Sequence, residues 1–294
     1  MLLPALTAGG YRRCMDPRDA DGSAGDLPIP VPHDGIAWTP QGLGYDAVGD
    51  AFVHSMYDHG DQQRGLLVVQ PADGGRVALA RLLGNAHYGG VAVAGDDVYV
   101  SGNGAKGEPG TFVQRYSLAQ LRAAGGDVVR PLQRHETVSG STLCVHDGHL
   151  YTARYRNGRP GLVHDHLLEP GGRLPSPGVG WAPVREWTAP PNLQGVARDA
   201  DGFWVVRSRG VRRRSTLYRL DAATGRWRGV ARLGVLSQGV VVRGRHLVVT
   251  AESGAAPYRQ QVLAATPGWL ARLTRPPLLP RYLLQEIPLP PVPR

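Results

Sequence analysis

The sequence predicts an all-β fold built from a repeated antiparallel unit, and three observations lead to this prediction. The 294 residues include 40 glycines and 25 prolines, which interrupt helices and long strands too often for a helical bundle. Hydrophobic residues make up 42% of the chain and charged residues 19%, a balance that supports a large core and excludes disorder for most of the chain. A short motif, a glycine followed by an apolar pair, also recurs along the sequence.

The repeat consists of five similar segments that begin near residues 39, 87, 139, 192 and 236. The equivalent positions in the five copies are Gly42, Gly90, Thr142, Gly195 and Gly239. Successive positions are 48, 52, 53 and 44 residues apart. Intervals of this length are typical of the blades of a β-propeller, in which four-stranded sheets surround a central channel. The spacing therefore predicts one antiparallel blade for each copy.

Each copy has the pattern of a four-stranded meander. In the second copy, an apolar strand at residues 91–93 is followed by Gly95 and Asp96, a pair that tolerates the positive φ of a tight turn. A second strand at residues 98–100 carries large β-forming side chains. A loop, a third strand of alternating polarity and a further turn lead into the fourth strand.

The two ends of the chain predict how the ring closes. The segment 27–37 has the same character as the strand that leads into each copy, yet no copy precedes it. We expect this N-terminal strand to complete the last blade, so that residues 25–294 form one propeller domain behind an N-terminal arm of residues 1–24. Five blades are predicted, and six are the alternative if residues 258–281 contain a degenerate copy.

The repeat, represented by the QGVA segment at residues 194–197, resembles that of β-propellers with YVTN, NHL or SMP-30-like blades. Such propellers include lactonases, lyases and binding modules, so the resemblance implies a fold and no single function. SMP-30-like lactonases and streptogramin lyases use a divalent metal, but neither set of ligands can be placed on this sequence residue by residue. We therefore expect no cofactor, with a divalent metal as the alternative.

The formal net charge of +9 does not by itself predict a nucleic-acid partner. Lys106 is the only lysine among 33 basic residues, and arginine in place of lysine is typical of the GC-rich genomes of actinobacteria. The densest run, residues 212–214, has the pattern of a solvated loop without interleaved exposed aromatic residues. The sequence has no run of 18 consecutive apolar residues, so no membrane-spanning helix is predicted. We expect a monomer that binds a small molecule, and neither nucleic acid nor membrane.

Two cysteines, Cys14 and Cys144, are too few for a disulfide scaffold and wrongly spaced for a zinc site. The apolar patch at residues 2–6 has no basic region before it and makes a poor signal peptide. A cytoplasmic protein is expected if Met1 is the native start. A secreted protein with a Cys14–Cys144 bond is expected if a preceding segment was removed.

The repeat register converts into rings of residues around the channel mouth, where the first strand of each blade begins and the second ends. One ring includes the glutamines Gln41, Gln194 and Gln238. A second ring, at the end of the second strands, contains Met56, Asn103, Tyr155, Ser208 and Glu252. The glutamine amides either contact substrate or bond backbone groups of neighbouring blades.

Departures from the repeat mark the candidate chemical groups. His87 stands where other copies have threonine, serine or asparagine, and Glu252 stands where others have neutral groups. Arg154 and Arg207 lie at equivalent positions of adjacent blades. The alternatives are that His87 caps a loop and that Glu252 pairs with Arg154 or Arg207. His164 and His166, by contrast, are expected on the outer part of a blade, facing water.

These residues predict a cofactor-independent cyclase, lyase or hydrolase that acts on a small organic molecule, such as a specialised metabolite. Glu252 and His87 would exchange protons with the substrate, while Arg154 and Arg207 bind its anionic part. The side chains that line the mouth would be Tyr57, Tyr88, Tyr155, Asn103 and the three glutamines. The alternative is a propeller that binds a ligand, a glycan or a protein without turning it over.

Overall fold

The computed structural model describes residues 27–60, 64–104, 110–265 and 281–289. Within these ranges the fold is all-β. The first nine strands are β1 (Trp38–Asp46), β2 (Ala51–Asp58), β3 (Arg64–Pro71), β4 (Ala78–Ala94), β5 (Asp97–Gly104), β6 (Thr111–Ser117), β7 (Val128–Val129), β8 (Gln133–Glu136) and β9 (Thr142–His146).

The second part of the chain continues the same pattern. Its strands are β10 (His149–Arg154), β11 (Gly161–Leu167), β12 (Arg185–Ala189), β13 (Leu193–Asp199), β14 (Gly202–Arg207), β15 (Thr216–Asp221), β16 (Trp227–Arg232), β17 (Ser237–Arg243), β18 (His246–Ala251) and β19 (Gln285–Pro288). Two helices accompany them, α1 (Leu118–Ala123) after β6 and α2 (Ala256–Ala265) after β18.

All strands but one form four antiparallel four-stranded meanders and a final sheet of three named strands, and the short β7 pairs with β4 in parallel. Strand β4 belongs to two meanders, because its first part pairs with β3 and its second part, from Ala86 to Ala94, pairs with β5. The first meander is β1-β2-β3-β4 and the second is β4-β5-β6-β8. The third and fourth are β9 to β12 and β13 to β16, and the last sheet is β17-β18-β19.

Hydrophobic side chains fill the spaces between successive sheets. Tyr151 and Trp187 of the third sheet, for example, pack with Phe203 and Val205 of the fourth. The same holds between the last sheet and the first, where Val248 packs in one cluster with Phe52. A strand that is buried on both faces of its sheet needs apolar residues at successive positions, which explains the near-continuous apolar runs of the repeat.

The inner strands contact one another in a regular order. Strand β1 contacts β4, β4 contacts β9, β9 contacts β13, and β13 contacts β17, which in turn contacts β1. The repeat glycines lie where these backbones approach. A Cβ on Gly42 would lie 2.6 Å from Val91 N, and one on Gly90 would lie 2.5 Å from Leu143 N. Glycine is thus needed at these positions because backbone atoms occupy the space of a side chain.

The N-terminal segment lies beside the C-terminal one. Pro28 and Leu283 form an antiparallel bridge, Ile29 N donates to Tyr282 O at 2.7 Å, and Leu284 N donates to Leu27 O at 2.7 Å. The predicted strand at residues 27–37 is therefore restricted to one bridge near its start, next to the residues that lead into β19. The predicted arm, residues 1–24, lies outside the described residues.

Replacing Gly195 with alanine is expected to lower the free energy of unfolding by about 1–3 kcal/mol, because the added Cβ would overlap the carbonyl oxygen of Gln238 on the neighbouring inner strand. Urea denaturation followed by tryptophan fluorescence measures the change. Gly180→Ala is the matched control, since no atom lies within 4 Å of its added Cβ. Equal effects of the two substitutions would contradict the role of close strand approach.

Candidate functional site

A buried carboxylate lies where the last sheet meets the first. Glu252 follows the final residue of β18, and its backbone N–H donates to Leu236 O at 3.1 Å. Gln41 of β1 donates from Nε2 to Glu252 Oε2 at 2.7 Å, and the side chain of Gln238 of β17 also bonds the carboxylate. Two adjacent inner strands thus each provide one amide to the same acid.

The surroundings of Glu252 favour its neutral form. The residue is 6% exposed, and burial raises the pKa of its carboxyl to about 7, although the amides of Gln41 and Gln238 lower it. Its described surroundings include no salt-bridge partner. The expected alternative pairing with Arg154 or Arg207 is accordingly not observed. A carboxyl with this pKa can both donate and accept a proton near neutral pH.

Aromatic and imidazole rings form a continuous group next to this acid. The ring centroids of Tyr57 and His87 are 4.4 Å apart, and those of His59 and Tyr258 are 5.2 Å apart. The Tyr57 hydroxyl lies 3.0 Å from His59 Nδ1, which links the two pairs. Burial raises the pKa of the Tyr57 and Tyr258 hydroxyls, and the charge of Glu252 makes a smaller contribution in the same direction. We call these four rings with Glu252, Gln41 and Gln238 the acid cluster.

His87 is held in its neutral form. Burial and, to a smaller extent, the nearby His59 lower the pKa of its imidazole to about 4. Near neutral pH, His87 is therefore able to accept a proton rather than to donate one from a charged ring. Glu252 and His87 have pKa values on opposite sides of their ordinary values, as expected for a pair with different acid–base tasks.

The first copy of the repeat differs from the expected register by one residue. Thr39 pairs with Tyr57, just as His87 pairs with Asn103 in the second copy. Tyr57, and not Met56, therefore belongs to the ring of Glu252. The β1–β2 turn is two residues longer than the β4–β5 turn, and this insertion moves the end of β2. Met56 is instead a fully buried core residue.

The structure brings some of the predicted residues into one cluster and leaves others apart. Gln41, Gln238, Tyr57, His87 and Glu252 belong to the acid cluster. Asn103 lies opposite His87 in the β4–β5 ladder, and Gln194 is half-buried in β13. Tyr155 is exposed, and its hydroxyl accepts a hydrogen bond from Asn192 Nδ2 at 3.0 Å.

The two arginines have other neighbours. Arg207 Nη1 donates to the Tyr218 hydroxyl at 3.3 Å, within the fourth sheet. Arg154 is exposed at the end of β10, where its charge helps to lower the pKa of His164. Whether either arginine binds substrate stays a prediction.

Tyr88 does not line the channel mouth as expected. Its side chain is 1% exposed and packs in the core between the first two sheets, and its hydroxyl donates to the carbonyl oxygens of Leu83 and Gly84 at 3.3 Å. The ring instead packs edge-on against Phe112 of β6, with the two ring centroids 6.1 Å apart.

His164 and His166 are buried and do not face water. His164 Nδ1 lies 2.9 Å from Ser139 Oγ, and its Nε2 lies 2.9 Å from Glu186 Oε2. His166 Nε2 lies 3.2 Å from Thr152 Oγ1. The expectation of exposure was wrong because the segment after β11 folds back and places the Trp181 ring 4.8 Å from that of His166. The result is a buried polar network within the third sheet.

Sequence reasoning missed His59 and Tyr258. His59 follows the end of β2 outside the repeat motif, and Tyr258 lies at the start of a segment without repeat character. Helix α2 brings Tyr258 back over β1, which it contacts. The only available signal was the proximity of Tyr258 to Glu252 along the chain.

Two further observations concern cofactors and cysteines. Among the described residues, no group of three or more histidine, cysteine or acidic side chains could hold a metal ion. Cys144 is buried in β9, and this burial raises the pKa of its thiol. Cys14 lies outside the described residues, so a bond between the two cysteines stays a prediction.

No helix in the described ranges has the length and apolarity required to cross a membrane.

Comparison with known proteins identifies no relative by sequence: no family of known proteins matches the chain, and no curated protein does. Among solved structures, the chain is similar to the tail fiber of Staphylococcus aureus phage P68, with a TM-score of 0.48 and 10% sequence identity. The match covers 76% of this chain and 48% of the tail-fiber chain. This chain thus spans about half the length of that structure.

The raised pKa of Glu252 predicts how stability depends on pH. Its pKa is about 7 in the folded state and 4.5 in its ordinary state, so the folded protein binds more protons between these values. The protein should therefore lose stability relative to Glu252→Gln as pH rises from about 5 to about 8, by roughly 3 kcal/mol. Denaturation at a series of pH values measures this difference.

Glu286→Gln is the control for this experiment, because Glu286 is a more exposed carboxylate of the same sheet. Its stability should follow that of the parent protein over the same pH range. A constant difference between parent and Glu252→Gln would show that the buried carboxyl does not titrate near neutral pH.

Proposed function

We propose that this chain is an acid–base enzyme acting on a small organic molecule without a cofactor, and that Glu252 is its principal proton-transferring group. The observation that carries the proposal is a buried carboxyl with a pKa near neutrality, held by two amides and without a salt-bridge partner among the described residues. A purely structural carboxylate is usually paired with a cation or kept in water.

The proposed roles follow from the protonation states. Protonated Glu252 donates a proton to a basic atom of the substrate, and its carboxylate later accepts one. Neutral His87 accepts a proton from a second position, and Tyr57 and Tyr258 orient the substrate with their hydroxyls. Gln41 and Gln238 are positioning residues, since their amides fix the carboxylate and stabilise its charged form. Cyclisation, elimination and hydrolysis all need a pair of this kind.

The experiment compares the parent protein with the Glu252→Gln and His87→Ala double variant in a metabolite extract of the source organism, analysed by mass spectrometry. The parent is expected to convert at least one compound, and the double variant to convert it about 10²–10⁴-fold more slowly. Glu286→Gln is the control and should retain the parent rate. A compound that copurifies unchanged with the parent, and is never converted, would favour the binding alternative.

We also propose that the sheets close into a five-bladed propeller, with the N-terminal segment as the outer strand of the last blade. The cyclic order of inner-strand contacts supports closure. So does the ion pair between Arg243 of β17 and Asp50 of the β1–β2 turn, with Nε–Oδ1 at 3.0 Å and Nη2–Oδ2 at 2.9 Å. Helix α2 occupies part of the segment that would have to contain a sixth copy.

Closure can be measured with spin labels at Val48 and Arg245, after both native cysteines are replaced by serine. These exposed residues lie two positions from Asp50 and Arg243, so the reach of the chain limits their Cα separation to roughly 20 Å. A closed ring predicts one short distance by electron–electron dipolar spectroscopy. A broad or long distribution would indicate an open arc of sheets.

A further inference from the structure

Two loops of neighbouring sheets contain a high local density of arginine. One begins at the last residue of β10 and covers residues 154–160, and the other begins at the last residue of β14 and covers residues 207–215. They contain no acidic residue and eight arginines, namely Arg154, Arg156, Arg159, Arg207, Arg209, Arg212, Arg213 and Arg214. We call these two segments the arginine loops.

Asn192 holds the first arginine loop against the start of the second. Its backbone N–H donates to Arg156 O at 3.1 Å, and Gly158 N donates to its Oδ1 at 3.3 Å. Its Nδ2 donates to Tyr155 Oη at 3.0 Å, and its carbonyl oxygen accepts from Ser208 N at 3.1 Å. Asn192 has a φ of 60°, a conformation that asparagine tolerates better than most residues. The loops are thus connected by specific bonds and not merely near each other in sequence.

The charge of these loops is not neutralised within the described residues. None of the eight arginines forms a salt bridge there, whereas Arg115, Arg122 and Arg243 each pair with an aspartate elsewhere in the protein. A GC-rich genome explains why the chain has arginine in place of lysine. It does not explain why eight arginines lie within these 16 residues without one acidic residue among them. Uncompensated like charges repel each other and favour an anionic ligand.

Two polar atoms at the junction of the loops are buried without a hydrogen-bond partner, Arg207 Nε and Ser208 Oγ. Ser208 is itself 4% exposed and follows the last residue of β14. Both groups can donate hydrogen bonds. Buried donors without acceptors are rare in folded proteins, and a ligand oxygen is one way in which they become satisfied.

We propose that the arginine loops bind a small molecule that carries several phosphate groups. Each phosphate offers several acceptor oxygens, and guanidinium groups bind such oxygens in pairs. The two loops together contain eight arginines, more than one singly charged group needs. The proposal rests on the proposed function and extends it. Each arginine loop begins at the end of the second strand of its sheet, and Glu252 lies at the end of the second strand of the last sheet. The loops would therefore hold the charged end of the substrate.

Calorimetric titration with inorganic tripolyphosphate and with orthophosphate, at physiological ionic strength, tests the proposal on the full chain. Tripolyphosphate is expected to bind at least tenfold more tightly than orthophosphate. The double variant Arg156→Gln and Arg209→Gln should bind tripolyphosphate at least tenfold more weakly. The double variant Arg226→Gln and Arg228→Gln removes the same charge from the start of the outer strand of the fourth sheet and the turn before it, and it should stay within twofold of the parent.

Asn192→Gly tests the geometry without a change in charge. Glycine accepts the positive φ but removes the side-chain bonds to Tyr155 and Gly158, so tripolyphosphate affinity should fall severalfold while the thermal midpoint of the free protein stays close to that of the parent. Equal losses in both arginine double variants would overturn the proposal in favour of diffuse charge attraction. The absence of measurable tripolyphosphate binding would overturn it as well.

A macromolecular polyanion is distinguished by a single-stranded oligonucleotide. If the oligonucleotide binds more tightly than tripolyphosphate and depends on Arg226 and Arg228, the ligand is a nucleic acid and the proposal is wrong. Glu252→Gln separates this inference from the proposed function. Tripolyphosphate binding that is unchanged by Glu252→Gln supports the anion site even if no turnover is found.

Discussion

The close approach of neighbouring inner strands is the constraint on which the rest of this structure depends. At Gly42, Gly90, Gly195 and Gly239, backbone atoms of the next inner strand occupy the space where a Cβ would lie. This approach brings the inner edges of the sheets together and lets the wider outer parts pack through large side chains. Thr142 is the exception among the five repeat positions, so one interval of the repeat accommodates a side chain.

The approach of the inner strands also creates the acid cluster. Gln41 and Gln238 lie on the strands β1 and β17, which contact each other, and Glu252 lies between their amides. Because this junction excludes water, the carboxyl stays partly protonated near neutral pH. Its acid–base behaviour therefore results from the packing of the last sheet against the first, and not from a local sequence motif.

The structure separates two kinds of charge. The acid cluster lies between the last and first sheets, while the arginine loops lie on the third and fourth sheets. A guanidinium close to a carboxyl favours the ionised form and lowers the pKa of that carboxyl. Because these arginines lie on other sheets, none of them lowers the pKa of Glu252.

The sequence alone determined the all-β class and the repeated antiparallel unit, because turn residues and apolar periodicity are local properties of the chain. It also indicated Glu252, His87 and the two equivalent arginines as departures from the repeat. The register of the first copy was off by one residue, because a longer turn shifts a strand without changing its pattern.

Only the tertiary structure decided which side chains meet. Tyr88 and the two histidines of β11 proved to be buried, since burial depends on the neighbouring sheet and not on the strand itself. Tyr258 and His59 joined Glu252 because α2 folds back over β1, a contact between segments about 200 residues apart in sequence. Asn192 contacts both arginine loops because the third and fourth sheets are neighbours. Pairings across sheets arise from three-dimensional packing, which no local pattern in the sequence encodes.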